Sequence, residues 1–134
     1  MIINEIDLRP DNIVYELGCG NARFLITVEK KFGANTIGYE LAPWPYFLAR
    51  LNIILNKSKT KVFHKNFYKE DLSNTDLVFC YLIDSVMLKL QKQLEIQLKK
   101  GAKVISFAFP IKAWKPYKVI EIKQGGSKIY FYQR

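Results

Sequence analysis

The chain has 134 residues, 49% of them hydrophobic and 25% charged, which is the composition of an ordinary globular domain. This length fits a single domain over residues 1–134 with a core of its own. The net charge of +9 permits a nucleic acid, an acidic protein or an anionic membrane as a partner, but the lysines are scattered and the charge alone selects none. No apolar run reaches the roughly 18 residues of a membrane span, and no targeting segment is evident, so a soluble, cytoplasmic protein is expected.

Two cysteines, Cys19 and Cys80, lie in apolar, strand-like surroundings without CxxC spacing or nearby histidines. This pattern excludes a disulfide framework and argues against a zinc site. It predicts two buried free thiols in a reducing compartment, and no metal.

The first half of the chain alternates strand and helix patterns. Residues 13–17 predict a strand, residues 23–32 a helix closed by Gly33, and residues 35–41 a second strand. Pro43 or Pro45 opens a helix that runs to residue 56, and residues 60–66 predict a short third strand. His64 falls in that strand, which favours a packed side chain over a catalytic base.

The second half continues the alternation and then changes. Residues 76–83 are nearly all apolar, as is typical of a central strand buried on both faces. Residues 86–100 predict a helix capped by Asp84 or Ser85, ended by Gly101, with an apolar face made of Met87, Leu90, Leu94 and Leu98. Residues 102–109 predict a fifth strand, and residues 117–123 and 128–133 a hairpin.

This order of elements predicts an α/β fold. Four β-to-α units followed by a hairpin indicate a Rossmann-like, doubly wound, mostly parallel seven-stranded sheet that ends in an antiparallel hairpin. Such sheets bind ligands beyond the C-terminal ends of their strands, beside strand 1. The stretch "ELGCGNARF", residues 16–24, lies there.

The glycine pair of this stretch gains meaning from an acid further on. Glu40 ends strand 2, where a carboxylate can accept both hydroxyls of a ribose. A dinucleotide fingerprint requires glycine at position 23, which is an arginine, and Glu16 would repel a diphosphate. A carboxylate at Glu16 suits a ligand with an amino group and a sulfonium, and S-adenosylmethionine carries both.

"ELGCGNARF" resembles motif I of the class I S-adenosylmethionine-dependent methyltransferases. The stretches "RPDNIVYELGCG", "GYELAPW", "NFYKEDLSNTDLVFCYLIDSVM", "LKKGAKVISFAFP" and "WKP" resemble the small protein-lysine methyltransferase family. That family includes the mitochondrial enzymes that act on the ATP synthase c subunit and on the adenine nucleotide translocase, with archaeal relatives. The resemblance covers about residues 9–116 and implies methylation of an accessible lysine on a protein.

The resemblance also implies roles for individual residues. Glu16, Gly18, Cys19, Gly20 and Asn21 would hold the methionine end of the cofactor, and Glu40 the ribose. Leu41 and Trp44 would lie beside the adenosine, and Asn66 and Phe67 would hold the adenine. Tyr81 would border the sulfonium and the incoming amine, and with Phe109 and Trp114 would line an apolar channel that favours the neutral amine. Asp84 would orient that amine or cap its helix, and capping is the favoured role.

Three features depart from the family pattern. Ala22 replaces a third glycine, Asp84 replaces a usual proline, and only about a dozen residues precede strand 1, where the family has a segment that can cover the cofactor. An open cofactor site is therefore expected. Methylation of RNA or of a small molecule, and cofactor binding without turnover, are the alternatives; the missing Asn/Asp-Pro-Pro-Tyr/Phe signature argues against amino methylation of a nucleobase.

Overall fold

The computed structural model describes residues 2–123 and 125–134. Its elements, in chain order, are the strands and helices β1 (Ile13–Leu17), α1 (Arg23–Phe32), β2 (Asn35–Tyr39), α2 (Pro43–Leu55), β3 (Lys61–Phe63), β4 (Leu77–Cys80), α3 (Asp84–Gln97), β5 (Lys103–Phe107), β6 (Lys118–Glu121) and β7 (Lys128–Gln133), with 3-10 turns at Ile2–Glu5 and Phe67–Lys69. The predicted fold class is confirmed: a mostly parallel, seven-stranded sheet with an antiparallel hairpin at its end. The chain forms two compact units, one ending at Phe67 and the other beginning at Tyr68; the expectation of one domain stays a prediction.

The first unit contains three parallel strands in the order β3-β2-β1. Helix α1 ends, as predicted, at Gly33, whose φ of 70° is a left-handed conformation that glycine adopts without strain. Glu29 on α1 is buried and accepts hydrogen bonds from the Ser58 hydroxyl and the Lys59 N–H. These bonds fix the loop that leads into β3.

Two predictions for the first unit need correction. Strand β3 has three residues rather than seven, because the chain leaves the sheet after Phe63. His64 therefore lies outside the strand and is exposed, not packed in the core. Its ring stacks on Tyr46 at 5.0 Å between centroids, and its Nε2 donates to the Leu41 carbonyl at 2.8 Å.

The second unit contains β4 parallel to β5, and β7 antiparallel to both β5 and β6. All four residues of β4 are buried, as predicted for a central strand. Helix α3 buries the predicted apolar residues Met87, Leu90 and Leu94, followed by Leu98 at its C-cap. The helix ends at Gln97, three residues before the predicted end, and the hairpin turn includes position 124, outside the described residues.

The predicted capping of α3 is wrong. The N-cap position is Ile83, and none of the side chains that the structure describes supplies a cap hydrogen bond. Asp84 is instead the first helical residue, where its negative charge favours the positive end of the helix dipole. Its side chain is exposed.

Candidate functional site

The loop after β1 is held against the end of β2 by backbone hydrogen bonds. The N–H groups of Gly18 and Cys19 both donate to the Tyr39 carbonyl, at 2.9 and 3.0 Å. Gly18 and Gly20 have φ values of 73° and 54°, in the left-handed region where side chains are strained. The glycines are therefore required by the backbone path of this loop.

Gly38 on β2 allows the loop to lie this close. A Cβ at this position would meet the Cys19 Sγ at 2.7 Å, the Leu25 Cδ1 at 2.8 Å and the Cys19 Cβ at 2.9 Å. Gly38 is a functional position that was not predicted from the sequence. A lone glycine inside a strand pattern is the signal of close backbone approach that could have identified it.

Glu40 is fixed by the loop that it follows. Its Oε1 accepts a hydrogen bond from the Gly20 N–H at 2.8 Å, and its Oε2 accepts one from the Ala42 N–H at 3.1 Å. A carboxylate has about four acceptor sites, so each oxygen keeps a lone pair for a further donor. The arrangement presents a pre-oriented acceptor pair, as recognition of two vicinal hydroxyls requires.

Glu16 is a buried acid without a full set of partners. Only 7% of the residue is exposed, and its Oε1 accepts no hydrogen bond from residues 2–123 or 125–134. Burial, followed by the negative charge of Glu40, raises the pKa of Glu16 well above its ordinary value of 4.5. A buried carboxylate in this state is stabilised by a ligand that brings a donor and a positive charge.

The other residues of the loop have mainly structural contacts. Burial and the charges of Glu16 and Glu40 raise the pKa of the Cys19 thiol, so the thiol is not a nucleophile. Asn21 is exposed; its Oδ1 accepts from the Arg23 N–H at 3.2 Å, and its carbonyl accepts from the Asn52 Nδ2 at 3.0 Å. Asn52, on α2, was not anticipated from the sequence, because nothing in its pattern marks a contact with the loop.

Ala22 adopts a left-handed backbone conformation, which suits the glycine that the family motif has at this position. Its φ of 65° is left-handed, and its side chain is completely buried. An alanine pays a strain energy of about 1–2 kcal/mol there that a glycine does not pay. The chain thus keeps the glycine-type loop geometry with a strained residue.

The predicted adenosine-side residues lie in two places of the first unit. Leu41 and Trp44 are exposed at the start of α2, and the Leu41 carbonyl is held by His64. Asn66 and Phe67 are half-buried at the entry of the 3-10 turn Phe67–Lys69. Their roles toward a ligand stay predictions.

On the second unit, Tyr81 lies in an aromatic cluster. Its ring centroid is 4.8 Å from that of Phe107 and 6.4 Å from that of Phe109, and 57% of Tyr81 is exposed. Between the two phenylalanines, Ala108 has a left-handed φ of 73° and donates its N–H to the Lys128 carbonyl at 2.8 Å. The Ser106 hydroxyl donates to the Phe109 carbonyl, which completes the turn.

Trp114 belongs to a different set of contacts than the predicted channel. Its ring packs edge-on against Tyr132 at 5.9 Å and under the Arg134 guanidinium at 4.8 Å, and its Nε1 donates to Glu95 at 3.0 Å. Within the described part of the chain, its ring contacts are to these residues and not to Tyr81 or Phe109. Phe107, which was not among the predicted site residues, is a nearer neighbour of Tyr81 than Phe109 is.

Known proteins resemble this chain in sequence and in structure. The family model of the ANTKMT methyltransferase domain matches residues 16–118. A protein-lysine N-methyltransferase of Saccharolobus islandicus is 34% identical over 91% of this chain and 79% of its own length. The adenine nucleotide translocase lysine N-methyltransferase of Mus musculus is 32% identical over 92% of this chain but 54% of its own length, so the chain spans about half of that relative.

A solved structure matches nearly the whole chain. It is an RNA methyltransferase from Salinibacter ruber in complex with S-adenosyl-L-homocysteine, with a TM-score of 0.91 and 26% identity. The match covers 98% of this chain and 86% of that one.

Proposed function

The chain belongs to the ANTKMT methyltransferase family, and we propose that it transfers a methyl group from S-adenosylmethionine to the Nζ atom of a lysine on a protein. S-adenosylmethionine is the cofactor of this family. The observation that carries the proposal for this chain is Glu16, a buried carboxylate with one oxygen unsatisfied among the described residues. Its chemistry fits the ammonium group at the methionine end of the cofactor.

The first unit supplies the residues that would bind the cofactor. Glu16 would accept from the amino group, with Gly18, Cys19, Gly20 and Asn21 alongside it. Glu40 would accept from the ribose hydroxyls with the lone pairs that Gly20 and Ala42 leave available. Leu41 and Trp44 would lie beside the adenosine, and Asn66 and Phe67 would hold the adenine.

When bound, S-adenosylmethionine would supply a methyl group carried on a sulfonium; an uncharged amine would form the new N–C bond as the C–S bond breaks, with S-adenosylhomocysteine as the leaving group. For the acceptor side we propose Tyr81 and Asp84. Tyr81, backed by Phe107 and Phe109, would present an aromatic surface that first attracts a lysine ammonium and then favours its neutral form. Asp84 makes no cap hydrogen bond, which leaves its exposed carboxylate available to orient the amine.

In this proposal, Tyr81 and Asp84 act mainly by positioning the lysine amine. Alignment of two reactants in a site can supply roughly 7–11 kcal/mol of the barrier, so a strong base is not required. The lysine proton can pass to water. A histidine base is therefore not required. His64, the single histidine of the chain, is in contact with Tyr46 and Leu41.

RNA is the second candidate substrate, and one specific observation favours it: the solved structure with a TM-score of 0.91 is that of an RNA methyltransferase. The net charge of +9 permits it. A protein lysine is preferred because the protein-lysine N-methyltransferase of S. islandicus is the more similar sequence, at 34% against 26% identity.

A cytoplasmic location is part of the proposal and is supported by the two buried free thiols.

The experiment is incubation with methyl-labelled S-adenosylmethionine and a cell lysate, followed by digestion with protease or nuclease. Label that protease alone releases supports the proposal, and label that nuclease alone releases supports RNA. Absence of transfer to either fraction, with cofactor binding intact, indicates binding without turnover and contradicts both.

A further inference from the structure

Helix α2 exposes a continuous apolar stripe. Phe47, Leu51, Ile54 and Leu55 are between 46% and 70% exposed, and Trp44 at the N-terminal end of the helix is 70% exposed. At 3.6 residues per turn these positions fall within an arc of roughly 100°. Ala49, which lies on the opposite side of the helix, is completely buried, so the orientation of α2 is fixed with the stripe outward.

The stripe continues into a groove between α2 and β3. The groove has a volume of about 310 Å³, and its walls include Ile53, Ile54, Val62 and Phe63. Arg50 and Lys61 also line the groove. The apolar surface therefore adjoins positive charge on both elements.

The sequence around this surface contains no acid. Residues 41–69 have no Asp or Glu, but they hold six of the 21 Lys and Arg residues of the chain, all of them exposed: Arg50, Lys57, Lys59, Lys61, Lys65 and Lys69. The segment thus contributes +6 of the net charge of +9. An exposed apolar stripe in a stretch of chain that carries exposed cations and no acid suits contact with an anionic membrane surface.

We propose that α2 and the adjoining groove, here named the α2 surface, dock on an anionic lipid bilayer. Phe47, Leu51, Ile54 and Leu55 enter the boundary between headgroups and acyl chains, and the exposed cations of the first unit in this segment, from Arg50 to Lys65, face lipid phosphates and carboxylates. A second copy of the chain fits less well, because two such basic segments repel each other. RNA fits less well, because Leu51, Ile54 and Leu55 offer neither charge nor an aromatic face to a nucleotide.

The proposal is independent of the methyl-transfer function, since docking requires neither cofactor nor acceptor. It differs from a membrane span: among the described residues, no helix has the length and apolar character to cross a bilayer. The helix α2 would lie on the surface instead. Trp44, proposed above to lie beside the adenosine, is left unchanged in the test.

The test is flotation of the purified chain with vesicles of neutral phosphatidylcholine and with vesicles of which roughly one third is phosphatidylserine. We expect flotation with the anionic vesicles, weakened by salt. The variant Leu51→Glu/Ile54→Glu should float about tenfold less or worse, since it places two charges in the apolar contact. Leu88→Glu/Ile96→Glu on α3 is the matched control, with the same change of charge at two exposed apolar positions, and should float like the parent chain.

A second pair of variants tests the charge. Lys57→Glu/Lys59→Glu should reduce flotation and its sensitivity to salt, whereas Lys92→Glu/Lys100→Glu, equally exposed, should not. Cofactor affinity measured on each variant shows that it is folded. Equal flotation with neutral vesicles, or none with either, would overturn the proposal; so would loss of self-association or of RNA binding, without any vesicle binding, in Leu51→Glu/Ile54→Glu.

Discussion

The loop after β1 and the aromatic cluster around Tyr81 are built in opposite ways. In the loop, the Gly18 N–H donates to the Tyr39 carbonyl, the Gly20 N–H donates to the Glu40 carboxylate, and Glu16 is buried. In the cluster, more than half of Tyr81 is exposed, and the neighbouring Asp84 segment has no side-chain cap. Under the proposed function, the loop would bind the cofactor and is already held by these hydrogen bonds, whereas the cluster would receive the acceptor and keeps its aromatic and acidic groups exposed to a large substrate.

Under the proposed function, this contrast matches two kinds of ligand, a constant cofactor and a large protein substrate. A pre-organised loop lowers the ordering cost of binding one constant cofactor. An exposed aromatic surface can accept a lysine on a folded protein, because it requires no closure over the substrate. Substitutions in the loop should therefore change cofactor affinity and stability, and substitutions in the cluster should change turnover.

The largest effect is expected from closing the space that the loop uses. Gly38→Ala places a Cβ within 3.0 Å of Cys19 and Leu25, so the loop must move. We expect unfolding to become easier by about 1–3 kcal/mol and cofactor affinity to fall with it. Urea unfolding and titration calorimetry measure both quantities. The double variant Gly38→Ala/Cys19→Gly, which removes the Cys19 side chain and leaves only the contact with Leu25, should recover part of the affinity; no recovery would show that the contact with Cys19 is not the cause.

Glu40→Ala should weaken cofactor binding by about tenfold or more. The variant loses charge-assisted hydrogen bonds to the ribose, each contributing about 1.5–3 kcal/mol, and also the acceptor that holds the Gly20 N–H. Glu121→Ala is the control, because Glu121 accepts a backbone N–H from Gly125 in the hairpin of the second unit. Equal affinities of the Glu40→Ala variant and the parent chain in calorimetry would remove Glu40 from the site.

Tyr81→Ala tests the acceptor half. Turnover should fall by about tenfold, through lost alignment of the amine, while cofactor affinity changes far less. Tyr81→Phe should keep most of the turnover if the ring face is what matters. A Tyr81→Ala variant that loses cofactor affinity and turnover in equal measure would contradict the division between the two halves.

Glu16→Gln should separate stability from binding. Because burial raises the pKa of Glu16 in the folded chain, the unfolded chain binds fewer protons between pH 4.5 and that raised pKa, and stability falls as pH rises through this window. The glutamine variant should lack this fall and gain about 1 kcal/mol of stability at neutral pH, since a desolvated amide costs less than a desolvated charge.

The same Glu16→Gln variant should bind the cofactor more weakly, because an amide attracts an ammonium group less than a carboxylate does. Thermal unfolding from pH 4 upward and calorimetry check the two halves of this prediction. A variant that is less stable and binds as tightly as the parent would refute both.

The smallest effect is expected at Ala22. Ala22→Gly relieves a left-handed backbone but loses a buried methyl group and adds freedom to the unfolded chain, so stability should change by less than about 1 kcal/mol. Cofactor affinity or turnover should rise slightly, because the loop is no longer restricted. Identical affinity and rate would show that the alanine in the motif is harmless.

The sequence was sufficient for features that depend on local pattern. Helix α1, strand β1 and strand β7 have their predicted bounds, because a glycine, a short apolar run and an alternating run each act within a few residues. The end of β3 and the start of α3 were misjudged. Both depend on where the chain leaves the sheet, and "FHKN" and "LIDS" do not encode that point.

Tertiary features of the site were less accessible. Helix α2 is apolar over most of its surface, so its periodicity could not show that Ala49 faces inward and Leu51 outward. Glu16 was predicted as a ligand-binding carboxylate from its place in the motif. Its burial and the lack of a hydrogen-bond partner for its Oε1 among the described residues depend on its neighbours in space, which the sequence does not reveal. Trp114 packs on Tyr132, which lies 18 residues further along the chain, and not on Tyr81. The local sequence around Trp114 does not reveal this contact.

The proposed acceptor of the methyl group is the Nζ atom of a lysine on a protein. The direct measurement is mass spectrometry of peptides from lysate proteins treated with the chain and isotopically labelled S-adenosylmethionine, with Glu40→Ala as the binding-deficient control. We expect labelled methyl groups on lysine Nζ with the parent chain and strongly reduced labelling with the control. Labelled methyl groups confined to nucleotides, or equal lysine labelling in the two samples, would contradict it.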